Sequence, residues 1–220
     1  MAAKILLNSA YGALGNQYFR YYDIRQAESI TLSGQLSIRW IENKVNDYLH
    51  KVLKNDEKIN YVIASDTDAI YIRLGDLVDK VFDTEKVLAT EGGEAKIINF
   101  LDTIASEKLE PFIDKSYQDL ADYMNAYEQK MQMKREVIAS KGLWTAKKRY
   151  ILNVHDNEGV RYKTPELKIM GIEAVRSSTP AACREKLREI FKVIMNGNNE
   201  QLITFINQFR EEFNTLPVED

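Results

Sequence analysis

Cysteine is almost absent: Cys183 stands alone among 220 residues, so no internal disulfide can staple the fold, and the composition suits a reducing compartment. Four prolines and ten glycines are dispersed, which excludes a collagen-like or low-complexity chain; Glu91-Gly92-Gly93-Glu94 reads as the clearest loop. No apolar run approaches the ~18 to 20 residues of a membrane helix, and no secretory leader pattern is visible. The expectation is a cytoplasmic protein with no membrane partner. Two histidines, His50 and His155, are isolated in sequence and read as structural rather than catalytic or metal-binding. What is present is a 45% hydrophobic content, enough at this length to bury a core.

The hydrophobic periodicity predicts helix, helix, hairpin, helices, strands, helices. Residues 2 to 12 form a first helix ended by Gly12, and Ile24 to about Leu53 a long one with Ile30, Ile38, Ile41, Val45 and Leu49 on its apolar side. Strands are expected at 60–65 and 69–74, with helices near 76–82 and 95–126, the latter bent at Pro111. Further strands near 131–138, 147–155 and 159–163 are expected to extend the same sheet, with Asp156-Asn157-Glu158-Gly159 as a hairpin turn. Pro180 opens a helix to Met195, Asn196-Gly197-Asn198 breaks it, and a last helix runs to Phe213. The fold class is α+β, an antiparallel sheet backed by long helices.

Three segments carry chemistry. Asp66-Thr67-Asp68 sets two carboxylates one residue apart between the apolar runs Val62-Ile63-Ala64 and Ile70-Tyr71-Ile72. In tight or extended geometry residues i and i+2 share a side, so both can face one site. Hard cations such as Mg²⁺ take carboxylate oxygens supplemented by substrate phosphates. A solvated acidic turn is the alternative, because Asp favours turns for local hydrogen-bonding reasons. On the first helix Lys4, Asn8 and Tyr11 fall at i, i+4 and i+7, a cation, an amide and a ring on one face that suit a polyphosphate and a base. An ordinary amphipathic helix end would show the same spacing. Finally, residues 134 to 149 hold six Lys or Arg against one Glu, a local +5 in a chain of net charge −3. With Trp144 and Tyr150 beside it, this strip fits tracking of a phosphate backbone; a solvated strand face is the other reading.

In this order, Lys4-x-x-x-Asn8-Ser9-x-Tyr11-Gly12, Asp66-Thr67-Asp68 and Lys147-Lys148-Arg149-Tyr150 resemble the motifs of family B DNA polymerases. Residues 10 to 25, Leu167-Lys168-Ile169-Met170-Gly171-Ile172-Glu173 and Ser177-Ser178-Thr179-Pro180 are similar to the T-even-type phage branch. The likeness covers nearly the whole sequence and weakens between about Leu77 and Ala95. It implies the end of a fingers helix in residues 1–16, a palm in 17–163 and part of a thumb in 164–220. Lys4, Asn8 and Tyr11 would meet the incoming deoxynucleoside triphosphate. Asp68 would be the metal ligand proper, Asp66 would help hold or shape the site, and Glu136 would lie near them as a further acid. Lys147, Lys148, Arg149, Tyr150 and Lys168 would line the primer-template duplex. The implied cofactor is Mg²⁺, as two ions in the complete enzyme.

The sequence departs from the family pattern at Ser65 and Ala69, which flank the carboxylates where Gly and Ser are usual, and at Lys134, which stands where an acid is usual. It also lacks the earlier palm motif, an Asp leading into a Ser-Leu-Tyr-Pro-like run, from which the two-metal centre takes another ligand. The expectation is therefore a split or partial polymerase, inactive without an N-terminal polymerase fragment, with uncovered surface that favours association with that fragment or self-association. A non-catalytic DNA-binding remnant of a palm is the alternative, and a nuclease using the Asp pair with Glu136 a weaker third.

Overall fold

The computed structural model describes residues 2–55 and 59–215; within the first helix the side chains of residues 2, 4 and 8 lie outside the described set. The chain packs as two units, Met1–Ile97 with Thr103–Lys134, and Ile98–Asp102 with Arg135–Asp220. Both combine helices with antiparallel strands, so the α+β expectation holds. Among the described residues no helix is long and apolar enough to cross a membrane.

The first unit is organised by one long helix. Helix α1 spans Ala2–Leu14, and α2 spans Ile24–Leu53. The start of α2 follows from Asp23, whose Oδ1 accepts from the Arg25 N–H at 3.0 Å and whose extended backbone makes it the N-cap. Ile41, Val45, Leu49 and Leu53 succeed one another every four residues and are all buried. Strands β1 (Val62–Asp66) and β2 (Ala69–Ile72) form a hairpin. After α3 (Gly75–Val81) and α4 (Thr84–Leu88), the chain enters α5 (Gly93–Ile104) and, after one wide turn, α6 (Glu110–Tyr123). The α2 stripe packs with Tyr61 and Val62 at the base of the hairpin and with Ile113, Tyr117 and Leu120 of α6. Tyr48 stacks on Phe112 at 4.4 Å, and Trp40 Nε1 donates to Ser116 O, fixing α6 on α2.

The second unit is a three-stranded antiparallel meander, β3 (Val137–Ala146), β4 (Arg149–Asn157) and β5 (Val160–Met170). β4 is central and buried from Tyr150 to Asp156, with Tyr150, Ile151, Leu152 and Val154 apolar and Asn153, His155 and Asp156 buried polar groups. Ile151 of β4 packs with Leu167 and Ile169 of β5, Ile172, and Phe191 and Met195 of α7 (Ala181–Asn196). The last helix, α8 (Asn199–Thr215), begins with a capping box: Asn198 Oδ1 accepts from Gln201 N–H, and Gln201 Oε1 accepts from Asn198 N–H.

Several elements differ from the expectation. Gly12 does not end α1, which continues to Leu14. The helix expected over 95–126 is interrupted at Ala105–Leu109 by a π turn, in which Glu110 N–H reaches back five residues to Ala105 O. Pro111 has no N–H to continue the regular ladder, and a widened turn just before it accommodates that loss. Residues 131–136 are irregular, although they alternate like a strand; β3 begins at Val137. The later strands do not extend the first hairpin but form a sheet of their own. The Asp156–Gly159 turn is as expected: Glu158 and Gly159 sit at φ +53 and +86, the two left-handed positions of a tight hairpin loop, and Gly159 N–H donates to Asp156 Oδ1.

Candidate functional site

The acidic tip is built from β1 and β2. Asp66 pairs with Ala69 in the ladder, so Thr67 and Asp68 alone make the turn. Asp68 N–H donates to Asp66 O at 2.7 Å, the i to i+2 bond of a γ-turn. Thr67 at its centre takes φ +58, a region that a β-branched residue rarely enters. Its hydroxyl donates to Asp66 Oδ1 at 3.1 Å. Backbone strain of this kind is kept only where the surroundings enforce it, and it concentrates at functional sites.

The tip is anchored from below. Asn46 of α2 presents its Oδ1 to two backbone donors at the start of the hairpin, Tyr61 N–H at 2.8 Å and Val62 N–H at 3.1 Å. Tyr117 of α6 is buried in the same core; burial raises its phenol above the ordinary value, and the negative charge of Asp68 adds to that rise. Asp68 is exposed and Asp66 half-buried. Two hard oxygen donors on a constrained turn can hold a divalent cation only with help, from water, substrate or further protein ligands. Among the described residues no group of three or more His, Cys, Asp or Glu is arranged to hold a metal. Glu136 is an exposed residue of the second unit, and its backbone O accepts from Glu158 N–H.

On α1, Tyr11 is exposed, whereas the side chains of Lys4 and Asn8 lie outside the described residues. The three do share one helix, which extends past them in both directions.

The basic strip divides once it is folded. Lys147 and Lys148 form the two-residue turn between β3 and β4, and both are exposed. Lys148 takes φ +61. Arg135, by contrast, ion-pairs with Asp156 and with Asp102, the latter at 2.5 Å, while Arg161 reaches both acids. Asp156 is fully buried; burial raises its carboxyl, but Arg135, the Gly159 N–H and Arg161 outweigh this and hold it below its ordinary value. Lys141 donates to Met195 O at 2.7 Å, near the end of α7, where a cation favours the helix dipole. Arg149 is bound to the Glu173 carboxylate. Tyr150 is buried, with its ring 6.3 Å from Trp144. The Trp144 ring lies over Gly142, where any Cβ would meet it at 2.6 Å. Lys168 is half-buried on β5, opposite Leu152 of β4. Sequence reasoning missed Asn46, Tyr117, Gly171 and Glu173. Glu173 stands 24 positions beyond Arg149, and that separation hid the pairing.

No protein-family model matches the chain. Among curated proteins it is similar to the DNA-directed DNA polymerase of Enterobacteria phage T4, 45% identical over 223 aligned positions that take in 97% of this chain and 24% of that protein. The DNA-directed DNA polymerase of Escherichia phage RB69 is 45% identical over 203 positions, 86% of this chain and 21% of that protein. A DNA polymerase of Choristoneura biennis entomopoxvirus is 27% identical over 137 positions, about half of this chain. The chain thus spans about a quarter of the length of the phage relatives it matches. The order of its motifs and this identity along nearly all of its length agree: the chain belongs to the T-even-type branch of the family B DNA polymerases, as a region of such an enzyme.

Proposed function

We propose that this region supplies the acidic palm turn and the duplex-gripping surface of a DNA-directed DNA polymerase that performs template-directed nucleotidyl transfer. The observation that carries the reading is the strained Asp66-Thr67-Asp68 turn, held by Asn46 and backed by Tyr117. Asp68, exposed at the tip, would ligate Mg²⁺, with Asp66 shaping the turn beneath it through the Thr67 hydroxyl. The donor set fits a hard cation, since both groups are carboxylates. When bound, two such ions activate the primer hydroxyl and neutralise charge on the triphosphate. Glu136 is the further acid that the family resemblance assigns to this neighbourhood.

The side chains have separate tasks. Lys4 neutralises the incoming triphosphate, and Asn8 and Tyr11 lie beneath the nascent base pair. Lys147, Lys148 and Lys168 take the primer-template backbone, with Arg149 and Tyr150 beneath them. The assignment of residues 1–16 to fingers, 17–163 to palm and 164–220 to thumb belongs to the same reading.

Two carboxylates do not make a two-metal centre, and no Ser-Leu-Tyr-Pro-like motif with its Asp occurs in these 220 residues. On this reading nucleotidyl transfer by the region requires a segment that carries that motif, in the same chain or in a partner, and takes place in the cytoplasm of the infected cell. Exposed Ile5, Leu6 and Leu7 of α1, with Leu32 and Leu36 of α2, support a broad apolar contact for that partner; without it they favour self-association. Primer extension with Mg²⁺ and four deoxynucleotides tests this, using the chain alone and mixed with the complementary part of a T-even-type polymerase. Extension only in the mixture, and not with Asp68→Ala, is the expected result. Salt-sensitive duplex binding with no extension in the mixture would instead favour a non-catalytic remnant.

A further inference from the structure

The turn that carries Lys147 and Lys148 is held by a segment 23 residues further along the chain. Gly171 sits at φ +67, and a Cβ placed there would come within 2.1 Å of Lys148 O and 3.3 Å of Arg149 Cγ. Only glycine allows this approach, because the obstructing atom is backbone and the φ disfavours any other residue. Two residues on, the Glu173 carboxylate accepts from Arg149 Nη2. Arg176 closes the ring: its Nη2 donates to Gly171 O at 3.2 Å, and its Nη1 lies 3.9 Å from Glu173 Oε1. A hydrogen bond from its own backbone N–H is the largest influence on the Glu173 carboxyl; burial opposes it, and the Arg149 and Arg176 charges help hold the group below its ordinary value. The result is a latch from residues 171–176 onto the foot of the basic turn.

The geometry points to Glu173 and Gly171 as positioning residues for DNA binding, with Arg149 acting on the protein side of the interface rather than on phosphate. This rests on the reading that the Lys147-Lys148 turn meets the duplex. Its physical content is that phosphate contacts depend on placement as well as on charge. An acid next to two lysines should by charge alone weaken DNA binding, so the latch and simple electrostatics predict opposite signs for its removal.

The test is duplex binding by fluorescence anisotropy over a range of salt, with amide hydrogen exchange at residues 146–149 measured on the same variants of the whole chain. Glu173→Ala is expected to accelerate exchange at the turn and to weaken binding about fivefold, with little change in the salt slope, which counts phosphates neutralised. Glu173→Gln, which keeps an acceptor for Arg149, recovers part of the loss. Arg149→Ala and the double variant match Glu173→Ala, because the two residues act as a unit. Unchanged exchange at 146–149 in Glu173→Ala would overturn the latch. Tighter or equal DNA binding, with exchange accelerated, would overturn its positioning role. The underlying reading is checked separately by Lys147→Ala/Lys148→Ala, expected to reduce the salt slope by about two. No reduction there, with Glu173→Ala still accelerating exchange, would sink duplex contact by the turn while leaving the latch standing.

Discussion

The two units each end a hairpin in a two-residue turn that forces one side chain into left-handed backbone, Thr67 in the acidic tip and Lys148 in the basic one. They are secured differently. The acidic tip stands on a hydrophobic core, with Asn46 taking two backbone donors and Tyr117 packed beneath. The basic tip has its foot clasped by polar and backbone contacts from residues 171–176. A core anchor fixes geometry through burial and is insensitive to salt, whereas a charged latch fixes it through ion pairs and is screened. On the proposed function, the acidic tip as a metal ligand needs the first kind of support, and the basic tip as a surface that grips DNA at different positions tolerates the second.

The comparison breaks most severely if one anchor is removed. Leu49→Ala takes a fully buried side chain from the core under the acidic tip and should cost about 2 to 5 kcal/mol, read by urea unfolding. Asp156→Asn is expected to cost about 3 to 5 kcal/mol in the second unit, since it leaves Arg135 and Arg161 without the buried charge they neutralise. The same group sets an acid limit. Its carboxyl is depressed below the ordinary 3.8, so its stabilisation is complete above that value and is lost as pH falls through the lower folded value. Acid unfolding followed by tryptophan fluorescence should therefore lose this low-pH step in Asp156→Asn. If the variant and the parent lose stability in parallel down to the lowest pH, the ion cluster does not hold the unit.

Much of the fold could be read in advance because local chemistry marks it. The four-residue spacing of Ile41, Val45 and Leu49 marks the buried stripe of α2, although Ile30, expected on the same side, is exposed, and Asp156-Asn157-Glu158-Gly159 announces a tight turn. The carboxylate pair was equally legible between its apolar strands. Residues 131–136 were misread because alternation shows that a strand has a buried side, not that another strand lies beside it. The π turn before Pro111 was hidden because proline signals disruption without specifying how the helix absorbs it. The basic strip misled most. Its summed charge is real, but Arg135, Lys141 and Arg149 are engaged by Asp156 and Asp102, by Met195 O and by Glu173, partners 21 to 54 residues away in the chain. Linear charge density counts cations and cannot tell which face outward.

The smallest expected effect sharpens the comparison at the turns themselves. Thr67→Gly and Lys148→Gly both relieve left-handed strain, which outweighs the added flexibility of the unfolded chain, and each should raise stability by about 0.5 to 1 kcal/mol in thermal unfolding. If strain at Thr67 serves the carboxylates, Thr67→Gly should also reduce primer extension in the reconstituted enzyme without weakening primer-template binding, whereas Lys148→Gly should weaken that binding.

The central claim, that the acidic tip performs polymerase chemistry, is tested most directly by transplanting this region into the matching quarter of the phage T4 polymerase and measuring primer extension. The chimera is predicted to extend primers, and its Asp68→Ala form to bind primer-template with unchanged affinity while extending nothing. Extension by the Asp68→Ala chimera at the parent chimera's rate would contradict the account.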